Sequence, residues 1–328
     1  MAAVIAAIAF VIGLVRLLPA SRASAPALAM IPPGPAFVLT LDVAQLKQSQ
    51  LENLLRKHFS ELGGLGQRCG FEPVQYVKDL AIAVPGAGNT LDALGIDDFG
   101  VVAMGPMSRS KVLRCAEHSI VDRKGEPVQT RIGKFSTIRD QRKKGGELAI
   151  RDGGPLILSG GNYFRELLDA AESSRPGSGA AASRDALHAE LRQKLGRSAP
   201  LLMSWVLPQN WTERFVPGHE ARLSPLTEIR AVGLAATFRP NPERGAMPAP
   251  SVDAILACGS SAGCSNVAAF LEELQRDLNA ALALDPTLQV LTRVKIHPES
   301  TIIRLQLLLS QDELKSLLEL ALGSDPRP

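Results

Sequence analysis

Residues 304–322, RLQLLLSQDELKSLLELAL, close the chain and decide its fold. Leu305, Leu307 and Leu309 alternate with Gln306 and Leu308, the period-two pattern of a strand with a buried face. Ser310 stands three residues before Glu313, the spacing at which a hydroxyl and a carboxylate satisfy each other's backbone N–H groups at a helix start. Leu314, Leu317, Leu318 and Ala321 follow at helical spacing. A similar phrase occurs earlier, at 155–172, PLILSGGNYFRELLDAAE, with Leu167-Leu168 in place of Leu317-Leu318. The echo predicts a duplicated module of strand and helix. It carries no chemistry, and nothing in it names an activity.

The rest of the chain falls into the same order around these two phrases. In the first module Phe37–Leu41 reads as a strand, and Asp42 as the cap of a helix with Leu46, Leu51, Leu54, Leu55, Phe59 and Leu62 on one side. Tyr76–Pro85 and Phe99–Gly105 read as strands, Ser110–His118 as a helix, and Val128–Ile138 with Glu147–Ile150 as a hairpin. Residues 173–184, rich in Ser, Gly and Ala, read as a linker, and Asp185–Leu195 as a short bridging helix. In the second module Leu201–Leu207, Glu228–Phe238 and Val252–Cys258 answer the first three strands, a helix runs from Ser265, and Leu288–Ile296 with Thr301–Leu309 form a hairpin. The expected fold class is α+β: two tandem similar modules, each a mostly antiparallel sheet with helices packed on one face. The expected boundaries are 1–35 for a signal peptide or membrane anchor with a proline-rich spacer, 36–172 and 185–325 for the modules, and 173–184 for the linker.

A chain of 328 residues is long enough for two ordinary cores without staples. The net charge of +3 is too small to imply nucleic acid, and aromatic residues, at 4%, are too few for stacking platforms. The basic run Arg139–Lys144 sits between strand-like segments and reads as a solvated hairpin tip. Nucleic acid is therefore not an expected partner.

The apolar run Ala2–Val15, broken by Arg16, is short for a membrane span of about 20 residues and suits a signal-peptide core. Ala23-Ser24-Ala25 offers a small-x-small cleavage site, hindered by Pro26 directly after it; Ala27-Leu28-Ala29 offers a second. Pro32-Pro33-Gly34-Pro35 is a stiff spacer with no regular structure. The expected location is the cell envelope, periplasmic or extracellular, with the N-terminal segment as the link to the membrane. Of the four cysteines, Cys258 and Cys264 bracket a tight loop in which a disulfide is geometrically feasible; Cys69 and Cys115 are either a second pair or two buried thiols. No spacing among them is a zinc pattern.

Gly259-Ser260-Ser261-Ala262-Gly263 matches the G-x-S-x-G nucleophile elbow and lies between an expected strand and an expected helix. Ser261 would be the nucleophile, with Asp285 and His297 downstream in the order that a hydrolase needs. Too little chain follows for the remainder of such a fold, and a plain structural turn is the competing reading. No two of the histidines lie at ligand spacing, and no metal or cofactor is expected. Trp211, with Phe215 near it, is placed to border a groove between the modules.

The openings 35–42, PAFVLTLD, and 199–208, APLLMSWVLP, together with 182–191, ASRDALHAEL, resemble uncharacterised exported bacterial proteins with a leader and a duplicated α+β body. That resemblance implies an envelope location and transfers no catalytic residues. The expected function is a non-enzymatic binding or interaction module, exported or membrane-anchored, whose partner is a protein or a small apolar ligand. The alternative is a serine hydrolase built on Ser261.

Overall fold

The computed structural model describes residues 26–46, 69–70, 73–86, 98–142, 146–172, 180–196, 199–209, 211–212, 221–239, 249–281, 289–310 and 313. The chain divides into two units, Ala23–Ala186 and Leu187–Pro328. Both are mixtures of helix and antiparallel strand, as the apolar periodicities predict.

In the N-terminal unit the strands are β1 (Pro35–Asp42), β2 (Asp79–Pro85), β3 (Gly100–Met104), β4 (Pro127–Ile132), β5 (Phe135–Asp140), β6 (Glu147–Ile150) and β7 (Leu156–Ser159). They lie in the order β1-β2-β3-β7-β6-β5-β4, every neighbour antiparallel. Helices α1 (Val43–Leu46) and α2 (Pro73–Tyr76) are single turns; α3 (Arg109–Asp122) and α4 (Tyr163–Glu172) are longer. Ala81, Val102, Ile157 and Ala149 are cross-strand partners and share a face. Tyr163, Phe164, Leu167 and Leu168 of α4 bury that face, together with Phe135 and Ala27. Ile138 and Ile150 point the other way, are fully buried, and lie where α3 packs on β5 and β6.

The C-terminal unit contains β8 (Leu201–Val206), β9 (Ile229–Arg239), β10 (Ala249–Cys258), β11 (Lys295–Glu299) and β12 (Ile302–Leu308), ordered β8-β9-β10-β12-β11. Helix α5 (Ala180–Leu195) leads into it, and α6 (Ser261–Ala281) follows β10. Leu202, Ala231, Ala235, Ile255, Ala257 and Ile302 form one face, closed by Leu191 and Leu195 of α5. The close approach depends on Gly233, where a Cβ would stand 2.8 Å from Leu195 Cδ1 and 3.2 Å from Leu191 Cβ. Leu256, Ile303, Val232 and Leu305 form the other face, closed by Cys264, Val267, Ala268 and Leu271 of α6.

Several expectations are corrected. In each unit helices cover both faces of the strands, where one face was expected. The reason is visible in β8, whose Leu201, Leu202 and Met203 are all buried, so neither side of the strand is left for water. Val128–Ile138 is a hairpin and not one strand, because Gly133, with φ 53°, and Lys134 turn the chain between β4 and β5. The basic run lies between β5 and β6, which pair antiparallel, where a hairpin tip was expected. The linker expected at 173–184 ends early: Ala180, Ala181 and Ala182, the best helix formers, begin α5. Helix α6 starts at Ser261, four residues before the expected Ser265.

The end of the segment 1–35, expected as leader and spacer, is partly structured. Leu28–Met30 is a 3₁₀ turn, and Ala27 is wholly buried in the core of the N-terminal unit. The helix expected over Leu46–Leu62 lies outside the described residues except for α1, as do the leader, Asp285 and Phe215. Ser310 and Glu313 make the expected reciprocal bonds: Ser310 N–H donates to Glu313 Oε2 at 2.7 Å, and Glu313 N–H to Ser310 Oγ at 3.2 Å. Among the described residues no helix is long and apolar enough to cross a membrane.

Candidate functional site

At the end of β10 the chain enters α6 through Gly259 and Ser260. Gly259 N–H donates to Glu228 O at 2.9 Å, and Ser260 Oγ accepts the N–H of Gly263 at 3.0 Å, which makes Ser260 the cap of the helix. Ser261 is the first helical residue, exposed, with its carbonyl accepting Ser265 Oγ at 3.2 Å. Its φ is not positive, so the strained turn that presents a hydrolase nucleophile is missing. His297 is exposed in β11 opposite Arg304, which is itself opposite Ile255 of β10. It therefore lies two strand spacings, about 10 Å, from β10. It also faces the α5 side of the sheet, whereas Ser261 starts the helix on the other side. The fold does not bring His297 to Ser261.

The same corner carries a disulfide between Cys258 and Cys264, Cα atoms 5.4 Å apart, tying the strand end to the first turn of α6. A second joins Cys69 to Cys115 of α3, with Cα atoms 4.6 Å apart. Trp211, expected at a groove, is a core residue of the C-terminal unit. It is buried among Ile229, Leu256 and Val267, and its indole Nε1–H donates to Ile229 O at 3.1 Å. An indole with an internal acceptor is a core residue.

Polar residues that periodicity alone passes over collect on the α5 face of the C-terminal sheet, beyond the reach of Leu191 and Leu195. Asp253, Gln306 and Lys295 are cross-strand partners on β10, β12 and β11, in one row. Ser251 and Leu308 form the next row. Together with Arg293 they line a cleft of about 340 Å³. Asp253 and Ser251, 8% and 5% exposed, are its floor; Leu308, 62% exposed, and Lys295 are its rim. Gln306 Nε2 donates to Asp253 Oδ1 at 2.8 Å, and Ser251 Oγ lies 2.7 Å from Thr237 Oγ1. Arg293 is paired with Glu313 at 2.5 Å. Burial pushes the Glu313 carboxyl up, but the hydrogen bonds from Arg293 and Ser310 outweigh it and hold the group below its ordinary value.

The arrangement offers an acceptor on a buried carboxylate at one end of the row and an ammonium at the other, with the apolar side chain of Leu308 in the next row. It can orient a polar molecule. The trace in the sequence was the placement of Ser251, Asp253 and Gln306 at alternate positions of strands whose intervening residues are apolar.

On the same face His188 of α5 meets Ser204 of β8, Nδ1 to Oγ 2.7 Å. The spacing is that of a base and a nucleophile, but Ser204 has no exposed surface and His188 almost none. The contact fastens α5 to the sheet. Among the described residues no group of three or more His, Cys, Asp or Glu side chains is placed to hold a metal ion. Comparison with protein-family models, with curated proteins and with solved structures finds no match to this chain.

Proposed function

We propose that the chain is a non-enzymatic protein of the cell envelope, exported or tethered by its N-terminal segment, built by duplication, and binding a polar partner in the cleft over Asp253. The observation that carries this reading is the pairing of all four cysteines in two disulfides, one in each unit. Disulfides persist in oxidising compartments, and a chain with this much core does not need them for size. The apolar run at Ala2–Val15 supports the same location.

Duplication is supported by strand order. β1-β2-β3-β7-β6 in one unit corresponds to β8-β9-β10-β12-β11 in the other, and a helix follows the third strand in both. The N-terminal unit adds the hairpin β4–β5 between that helix and the last two strands. For the partner, the row Asp253–Gln306–Lys295 favours a small molecule or peptide end that presents a hydrogen-bond donor to the carboxylate and an acidic group to the ammonium.

The test is fractionation of the native host with thiols alkylated before and after reduction. Cysteines that label only after reduction, in the envelope fraction, are the expected result; thiols that label at once, in the cytoplasm, would remove the proposal. For the cleft, a thermal-shift series of amino acids and dipeptides should raise the midpoint of the parent and leave Lys295→Glu unmoved.

A further inference from the structure

We infer that the folded body begins at Ala27, so that the leader, if removed, is cut on the N-terminal side of that residue and not at Ala27-Leu28-Ala29. The inference rests on the export reading only for there being a leader; its structural part stands on contacts within the N-terminal unit.

Three kinds of contact bind residues 27–34 to that unit. The first is burial. Ala27 has no exposed surface and packs in the cluster of Ala81, Phe135, Tyr163 and Leu167, with Met30 and Ile31 laid against it. The second is backbone. Met30 N–H donates to Ala27 O at 3.2 Å and Ile31 N–H to Leu28 O at 3.1 Å, so the turn is closed by carbonyls of the residues that the downstream cut would remove. The third is charge-assisted. Ala27 N–H donates to the buried carboxylate of Asp79 at 2.8 Å, and further on Gly34 is held at both ends: its N–H donates to Asp185 Oδ1 at 2.8 Å, and its carbonyl accepts Arg184 Nε at 2.7 Å.

Peptidases remove leaders from unfolded chains, so packing does not shield the Ala29–Met30 bond. The argument concerns the product. A chain starting at Met30 lacks the alanine that fills the core, lacks the Ala27 N–H that donates to Asp79, and opens the 3₁₀ turn. A chain starting at Pro26 keeps all three. The proline after Ala25 makes the upstream bond the slower one to cut, yet it is the one that leaves a complete unit.

Two measurements decide it. The intact mass of the protein isolated from its own host gives the terminus: any start from Met1 to Ala27 agrees with the inference, and a start at Leu28 or later overturns it. Independently, full-length Ala27→Pro removes the N–H that Asp79 accepts while matching the observed backbone, φ −63°. It should lower the melting temperature by about 3 °C or more, whereas Ala29→Ser, at an exposed position, should not. Equal melting temperatures for parent and Ala27→Pro would overturn it as well. An uncut chain found in the cytoplasm would sink the export reading, and the Ala27→Pro comparison would still decide where the body begins.

Discussion

Tyr163 buries its ring over Gly100 and carries a hydroxyl that has no hydrogen-bond partner among the described residues. Burial, with the carboxylates of Glu166 and Asp185 adding to it, pushes the phenol well above its ordinary value. A raised value means that the folded state holds its proton while the unfolded chain loses it. Ionisation of Tyr163 therefore leaves stability unchanged below about pH 10, the unfolded value, and lowers it as pH rises beyond. Tyr163→Phe should be neutral or stabilising by up to ~1 kcal/mol in urea unfolding at pH 7, and should flatten the decline above pH 10. A loss of more than ~1 kcal/mol would show that the hydroxyl has a partner. Glu313 behaves in the opposite sense. Its lowered value gives stability that is present above the unfolded value near 4.3 and lost as pH falls through the folded one. Ser310→Ala should cost about 1 kcal/mol, and Glu313→Gln should blunt the acid dependence, both read from unfolding curves between pH 3 and 7.

Among the elements, α5 depends most on a single glycine. Gly233→Val would drive methyl groups into Leu191 and Leu195 and should cost ~1–3 kcal/mol by denaturant midpoint, where the same change at exposed Gly196 would test strain alone. This packing was only half legible beforehand. The apolar pattern of Glu228–Phe238 announced a strand, but a glycine in its middle does not say which helix approaches or from which side. The capping pair at Ser310 and Glu313 could be read directly, because it is a local bond between residues three apart. Gly133-Lys134 was also readable as a two-residue turn and was hidden by the continuity of apolar residues on either side. The Asp253 cleft was legible only as alternation, since the row that unites Asp253, Gln306 and Lys295 is made by register between strands far apart in sequence. The burial of Trp211 has the same origin: the acceptor it needs is supplied by Ile229.

At the scale of the whole molecule, the two disulfides close loops of very different length, with sequence separations of 46 and 6. Loop entropy alone assigns about 4 kcal/mol to the first and about 2 kcal/mol to the second. Replacing Cys69 and Cys115 by serine should therefore lower stability more than replacing Cys258 and Cys264, measured as separate double variants in guanidinium. The reverse order would mean that the short link at the start of α6 constrains the native state more than the unfolded chain.

Strand β11 is the outermost of its sheet, and Pro298 sits inside it between His297 and Glu299. A proline offers no N–H to a newcomer, and Lys295 places a charge at the other end of the same strand. This margin resists being used as a template by other extended chains. Pro298→Val should leave the melting temperature within about 1 °C of the parent and yet shorten the lag before concentrated samples scatter light.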